Sequence, residues 1–225
     1  MSETTPHEPL PAKPVIPGEL FEAAGLIAWI EGESDGEPCV AHVRVAGETC
    51  ADEDFELLEL SESRVENCLY VGCTFDRATF TDVAFSHCDF SNSSFTEANF
   101  TRCTFSSCKL TGADFTEAVL ARIEVRDSTF AYASLVKAKL SDVRIAATDF
   151  SYADLAEVRQ KRTVFDDVRF AGTSFFRASL AGIDFSSCQL SDIVLSDAMD
   201  ELRGCSMDLF QAAGIARRLG VTIKD

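Results

Sequence analysis

Tryptophan occurs once in these 225 residues, and methionine, tyrosine and histidine three times each. None of the histidines (His7, His42, His87) belongs to a recognisable Ser-His-Asp or Cys-His arrangement. There is no phosphate loop, no G-x-G-x-x-G and no H-E-x-x-H, so the common sequence marks of nucleotide and metallopeptidase chemistry are missing. No C-x-x-C pair occurs, which removes a frequent zinc and redox spacing. No stretch approaches the roughly 18 apolar residues of a membrane span. The opening Met1-Ser2-Glu3-Thr4 lacks the basic start of a secretory signal. Bases are scarce too: Lys and Arg number 20 against 37 Asp and Glu, a net charge of −17. So acidic a chain repels nucleic acid and anionic membrane. The expectation is a cytoplasmic, non-enzymatic protein with no cofactor, no metal and no direct nucleic-acid binding. Hydrophobic content of 46% and charged content of 25% make it an ordinary globular mixture.

Phenylalanine is abundant, with 18 residues, and its placement is periodic. From Phe55 to Leu195 every fifth residue forms one column of 29 positions, 15 of them Phe and only Gln160 polar. Nothing is inserted or deleted along it. A period of five fits neither a helix, where the stripe would precess by about 140° per repeat, nor a straight strand, where i and i+5 lie on opposite faces. The chain must bend once per repeat. The residue two before each centre shares its face in an extended segment, and it is mostly small or β-branched: Cys68, Cys73, Ala78, Val83, Cys88, Ser93 and Ala98. The residue between the two is usually polar, as in Asp89, Ser94, Asn99, Asp114 and Asp154.

Ala98-Asn99-Phe100, Ala113-Asp114-Phe115, Ala153-Asp154-Leu155 and Cys88-Asp89-Phe90 resemble the A-(D/N)-L-x-x motif of the pentapeptide-repeat proteins. The resemblance covers residues 53–199. It implies an all-β fold, a right-handed quadrilateral β-helix with four pentapeptides and 20 residues per coil. About seven coils are expected, a rod about 35 Å long at the usual strand spacing. The organisation read from the chain is a flexible tail over 1–18, an N-terminal cap of short helix and strand over 19–50, the β-helix over 51–200, and a C-terminal element over 201–225. Within the cap the helix is expected over 19–30 and the strand over 39–45.

A solenoid exposes its core at both ends. Ser206 reads as an N-cap and Gly220 as a helix terminator. Between them Leu209, Ala212, Ala213, Ala216 and Leu219 form an apolar stripe. This ending resembles the C-terminal element of the pentapeptide-repeat proteins that act on DNA gyrase, where it forms a two-fold dimer. The resemblance therefore offers Leu209, Phe210, Ala213, Ala216 and Leu219 as a homodimer surface; a cap without a partner is the alternative. Gln160, with Arg159, Lys161 and Arg162, forms the one basic cluster of the rod. It reads either as a tolerated coil defect or as a contact for a partner. Six of nine cysteines (68, 73, 88, 103, 108, 188) occupy the small inward position, which makes them structural thiols.

Assigning residues to four faces by position modulo 20 shows an uneven charge. The first face carries Asp54, Glu56, Asp76, Glu97, Asp114, Glu117, Asp154, Glu157 and Asp197 against three bases. The second has four acids and six bases. The third has six acids, among them Glu124, Asp127, Asp166, Asp167 and Asp184, against three bases, and the fourth is nearly neutral. The gyrase-binding Qnr and MfpA-type members are read as duplex mimics. The resemblance thus implies DNA gyrase or topoisomerase IV as partner, with an effect on supercoiling or quinolone susceptibility. Residues 51–200 carry 25 acids and 14 bases, about half the roughly 20 phosphate charges of an equal length of duplex. Many Qnr proteins carry loops that matter for gyrase protection, and this chain has none between 55 and 195. A scaffold with another protein partner is the second reading.

Overall fold

The computed structural model describes residues 11–28 and 39–224. Strands pair in parallel at a constant offset of 20 residues: Thr79–Ser86 lies against Glu59–Glu66, and Lys139–Ala146 against Arg159–Asp166. The bend expected once per five residues is a single residue in the left-handed region. Arg77, Asp82, His87, Asn92 and Glu97 have φ of 58°, 57°, 53°, 57° and 58°. Such a conformation costs about 1 kcal/mol or more for a non-glycine residue. It is held because in the regular coils the corner N–H finds a carbonyl of the next coil, as from Arg77 to Thr96 at 2.8 Å and from His87 to Ser106 at 3.0 Å. At Gly72, Gly112 and Gly172, whose φ values are 66–69°, the missing Cβ leaves room for Asp52, Asn92 and Tyr152 to lean across from the preceding coil.

The repeat thereby builds its core. Nearly every centre and residue two before it points inward, Gln160 and Glu53 being exceptions, and in register like residues stack. Phe80 and Phe100 lie 4.7 Å apart, Phe75 and Phe95 5.0 Å, and Phe85 and Phe105 4.8 Å, all with nearly parallel rings. That separation is the strand spacing itself, so one geometry satisfies the ladder and the rings together. Cys68, Cys88 and Cys108 follow one another inside the tube as free thiols. Burial pushes the Cys103 thiol up to about 12, and the thiol contact from Cys108 pushes Cys88 to about 12, which keeps both protonated.

The ends depart from the expected boundaries. The coil is already formed at residue 39, ahead of the expected 51: Cys39–Ala41 and Val43–Ala46 pair with Glu59–Glu66, and Thr49–Ala51 pairs with Leu69–Val71. The shorter side chains Val40, Val45 and Cys50 fill the interior there, so the column of large centres hides the extra repeats. The rod consequently has about eight turns rather than seven. The helix expected over 19–30 is also corrected. Phe21–Ala23 is a strand paired with Val43–Val45, and only residues 26–28 of the described part are helical. Pairing with the first coil outweighs the weak local helix preference. Residues 11–18 lie along the rod instead of forming a free tail, the Val15 N–H donating to Asp82 Oδ1 at 2.9 Å. Residues 1–10 of the expected tail fall outside the described part.

At the other end the coil runs on to Ser206, whose carbonyl accepts from Phe185 N–H at 2.8 Å. A 3-10 turn, Asp200–Leu202, accommodates the two extra residues of this coil, as the pairing of Asp184 with Ser206 shows. The C-terminal helix is Leu209–Arg218. Its N-cap is Asp208 rather than Ser206, in a reciprocal capping box with Gln211. The helix closes the last coil by donating to its carbonyls. Gln211 Nε2 reaches Phe185 O at 2.8 Å and Cys188 O at 2.7 Å, and Arg218 reaches Ile193 O.

Candidate interaction surfaces

On the first face the acids do two jobs. Asp54, Asp114 and Asp154 each accept the backbone N–H two residues on, at 2.9, 2.8 and 2.9 Å, which fixes the turn and leaves the charge outside. Asp76 accepts from the Ser94 hydroxyl and from Thr96 N–H. Glu97, Glu157 and Asp197 stand on the same side without an ion pair among the described residues. Glu56 is engaged by Arg77, and Glu117 by Lys137 at 3.8 Å. The structure therefore brings all nine predicted acids to one side, and cations interleaved along its corner soften two of them.

The third face is less open than the sequence suggests. Asp127, Asp167 and Asp184 are exposed, but Asp166 is held by Arg144 at 3.2 Å and Glu124 by Arg126 at 2.9 Å. Lys13, Pro14 and Ile16 wall a groove there with Arg64 and Glu124. This segment is anchored at Asp82, which is buried and clasped by Arg102 through two contacts, one of 2.7 Å. The Arg102 guanidinium holds the Asp82 carboxyl below the usual carboxylate range.

The proposed dimer residues divide. Leu209, Phe210 and Leu219 are exposed, Phe210 by 85%. Ala213 and Ala216 are half-buried, whereas Gln211, Ile215 and Arg218 face the rod. The apolar stripe is thus turned away from the solenoid. Around Gln160 the ladder opens, and Arg159, Lys161 and Arg162 flank the opening. Arg162 pairs with Asp142, while Arg159 and Lys161 are exposed and unpaired among the described residues.

Sequence reasoning missed three features. Tyr132 and Tyr152 stack at 5.1 Å on an outer corner, 63% and 59% exposed; two aromatics 20 residues apart at a normally polar position were the available signal. Glu201 is buried and accepts from Arg177 N–H, Ser196 N–H and the Ser196 hydroxyl. Burial opposes its ionisation, yet these donors hold its carboxyl below the usual range. Glu48 ties Leu26 N–H and the Tyr70 hydroxyl together, fastening the N-terminal end. Neither carboxylate shows any sequence mark of its role.

The geometry defines a class: a solenoid with polar faces around an apolar core. Residues 78–155 match the family model described as pentapeptide repeat region. With the same five-residue geometry continuing on both sides of that region, the fold is that of a pentapeptide-repeat β-helix. A trypsin-treated form of QnrB1, a plasmid-mediated fluoroquinolone resistance protein, matches with a TM-score of 0.58 at 21% identity, covering 92% of this chain and 98% of that one. Full-length QnrB1 matches with a TM-score of 0.52 at 22% identity, covering 80% and 91%. At these identities the likeness shows the fold. No curated protein matches the sequence.

Proposed function

We propose that this protein is a non-enzymatic duplex mimic whose first face occupies the basic DNA-binding surface of a type II topoisomerase, DNA gyrase or topoisomerase IV. The acids gathered along one side of a straight rod carry this reading. Asp114 with Glu117 and, two coils on, Asp154 with Glu157 form its centre, both aspartates anchored by their turns. The similarity to QnrB1 is compatible with such a partner. The pairing of Glu56 with Arg77 and of Glu117 with Lys137 makes the mimic weaker than duplex, and the first face, with the larger excess of acids, is the contact. The outward-turned Leu209, Phe210 and Leu219 serve a homodimer through the C-terminal helix. An interaction scaffold is the second reading, favoured by the exposed Tyr132–Tyr152 pair, which lies at the border of the acidic face and resembles a protein-binding anchor.

The test is supercoiling by purified gyrase with rising amounts of the protein. Inhibition, or relief of fluoroquinolone poisoning, is expected at micromolar levels. It should vanish when Asp114, Glu117, Asp154 and Glu157 become lysine and persist after the same number of reversals on the fourth face. Equal behaviour of the two sets would sink the face-specific mimic. Sedimentation of Phe210→Glu beside the wild type checks the dimer.

A further inference from the structure

One cleft stands out on this acidic rod by its cations. It measures about 550 Å³ and is lined by Lys137, Lys139, Arg159 and Arg177, with Gln160 and Ser179 between them. That size lies within the roughly 300–1,000 Å³ range of small-molecule sites. Lys139 and Arg159 are register partners on adjacent strands, and neither has a carboxylate partner among the described residues. Like charges so placed destabilise a sheet unless a counter-charge lies between them.

The cleft exists because the ladder opens here. In regular coils the first outward N–H of the second face reaches back one coil, as Arg159 N–H does to Ala138 O at 3.0 Å. Ser179 N–H should do the same to Val158 O, but it makes no hydrogen bond among the described residues. Gln160 is the reason: its Nε2 donates instead to Ser179 O at 3.3 Å and Ala181 O at 3.0 Å. The side-chain amide thus covers two carbonyls of the facing segment, Ser179 O and Ala181 O, and leaves the Ser179 N–H uncovered. Two cations without a carboxylate partner among the described residues, Lys139 and Arg159, lie beside that donor.

We infer that this cleft binds a compact phosphate-bearing anion, held by Lys139, Arg159 and Ser179 N–H. Phosphate offers enough oxygens to meet both strands and the N–H at once. Glu117 and Glu157 at the rim, the first engaged by Lys137, confine the anion to the Lys139–Arg159 side. The acidic first and third faces on either flank repel an extended polyanion such as duplex DNA. The inference does not rest on the topoisomerase reading, and calorimetry in the absence of gyrase and DNA tests it separately.

Calorimetric titration of the full chain with inorganic pyrophosphate tests the inference. One saturable site is expected, with a dissociation constant on the order of 0.1 mM. Lys139→Ser with Arg159→Ser should weaken it at least about tenfold. Gln160→Leu should do likewise, since it lets Ser179 N–H pair with Val158 and shuts the cleft. Lys109→Ser with Arg169→Ser, on the fourth face, should bind as the wild type does. A nucleoside triphosphate and a phosphoserine peptide, titrated in parallel, identify the source by the tighter of the two. No saturation by about 5 mM pyrophosphate, or unchanged binding in either cleft variant, overturns the site. Thermal melting of each variant confirms that lost binding is not lost folding.

Discussion

Phe85 and Phe105 stack at 4.8 Å, whereas Phe165 and Phe185, equally spaced in sequence, lie 6.0 Å apart. The first pair sits in the regular coils, where each strand is matched on both sides. The second sits at the junction after residue 160, where the second and third faces part while the other two stay joined, as by Gln189 N–H to Val168 O at 2.9 Å and Ser174 N–H to Ala153 O at 2.9 Å. The only buried side-chain polar atom without a partner among the described residues, Thr163 Oγ1, lies at this same junction. A repeat tolerates one polar centre by opening a seam along half its perimeter. The regular coils show what that seam forfeits: coincidence of ring stacking and backbone pairing at a single spacing.

The contrast makes measurable demands. In urea denaturation Phe100→Ala, between close rings, should cost about 4 kcal/mol, while Phe165→Ala should cost about 2–3, because its stack is already loose; equal losses would erase the distinction. Asp82→Ala should cost about 2 kcal/mol through the lost Arg102 and Val15 contacts and release residues 11–18 to protease. Since the folded carboxyl titrates below its ordinary value, its contribution is complete above the usual carboxylate range and is lost as pH falls through the folded value. Acid melting of Asp82→Asn should therefore be flatter below about pH 4 than that of the wild type. Gln160→Leu should raise stability by about 1 kcal/mol as the seam closes. Thr163→Val should gain somewhat less than 1 kcal/mol, by removing an unpaired hydroxyl of nearly the same volume. A loss in either seam variant, by the same denaturation, would mean that the junction is already well satisfied.

Much of this fold is legible in one column. Phe80, Phe100 and Leu120 are fully buried in register, as a five-residue period with no insertions requires. The acids of the first face were legible as well, because a fixed offset of 20 converts position into side. The N-terminal limit was not, because Val40, Val45 and Cys50 are too small to mark a column by themselves. Nor was the docking of residues 11–18, since it depends on Asp82, an acid 67 residues away from Val15.

The sequence alone decided the coil, its core and the distribution of charge around it, for each follows from periodic local geometry that every repeat restates. Tertiary structure alone decided how the tube ends and where it opens. Those outcomes turn on single residues, Glu48, Gln160, Glu201 and Gln211, whose side chains meet backbone groups some 20 or more residues distant. A pattern records what recurs, and a hydrogen bond made only once leaves no period to find.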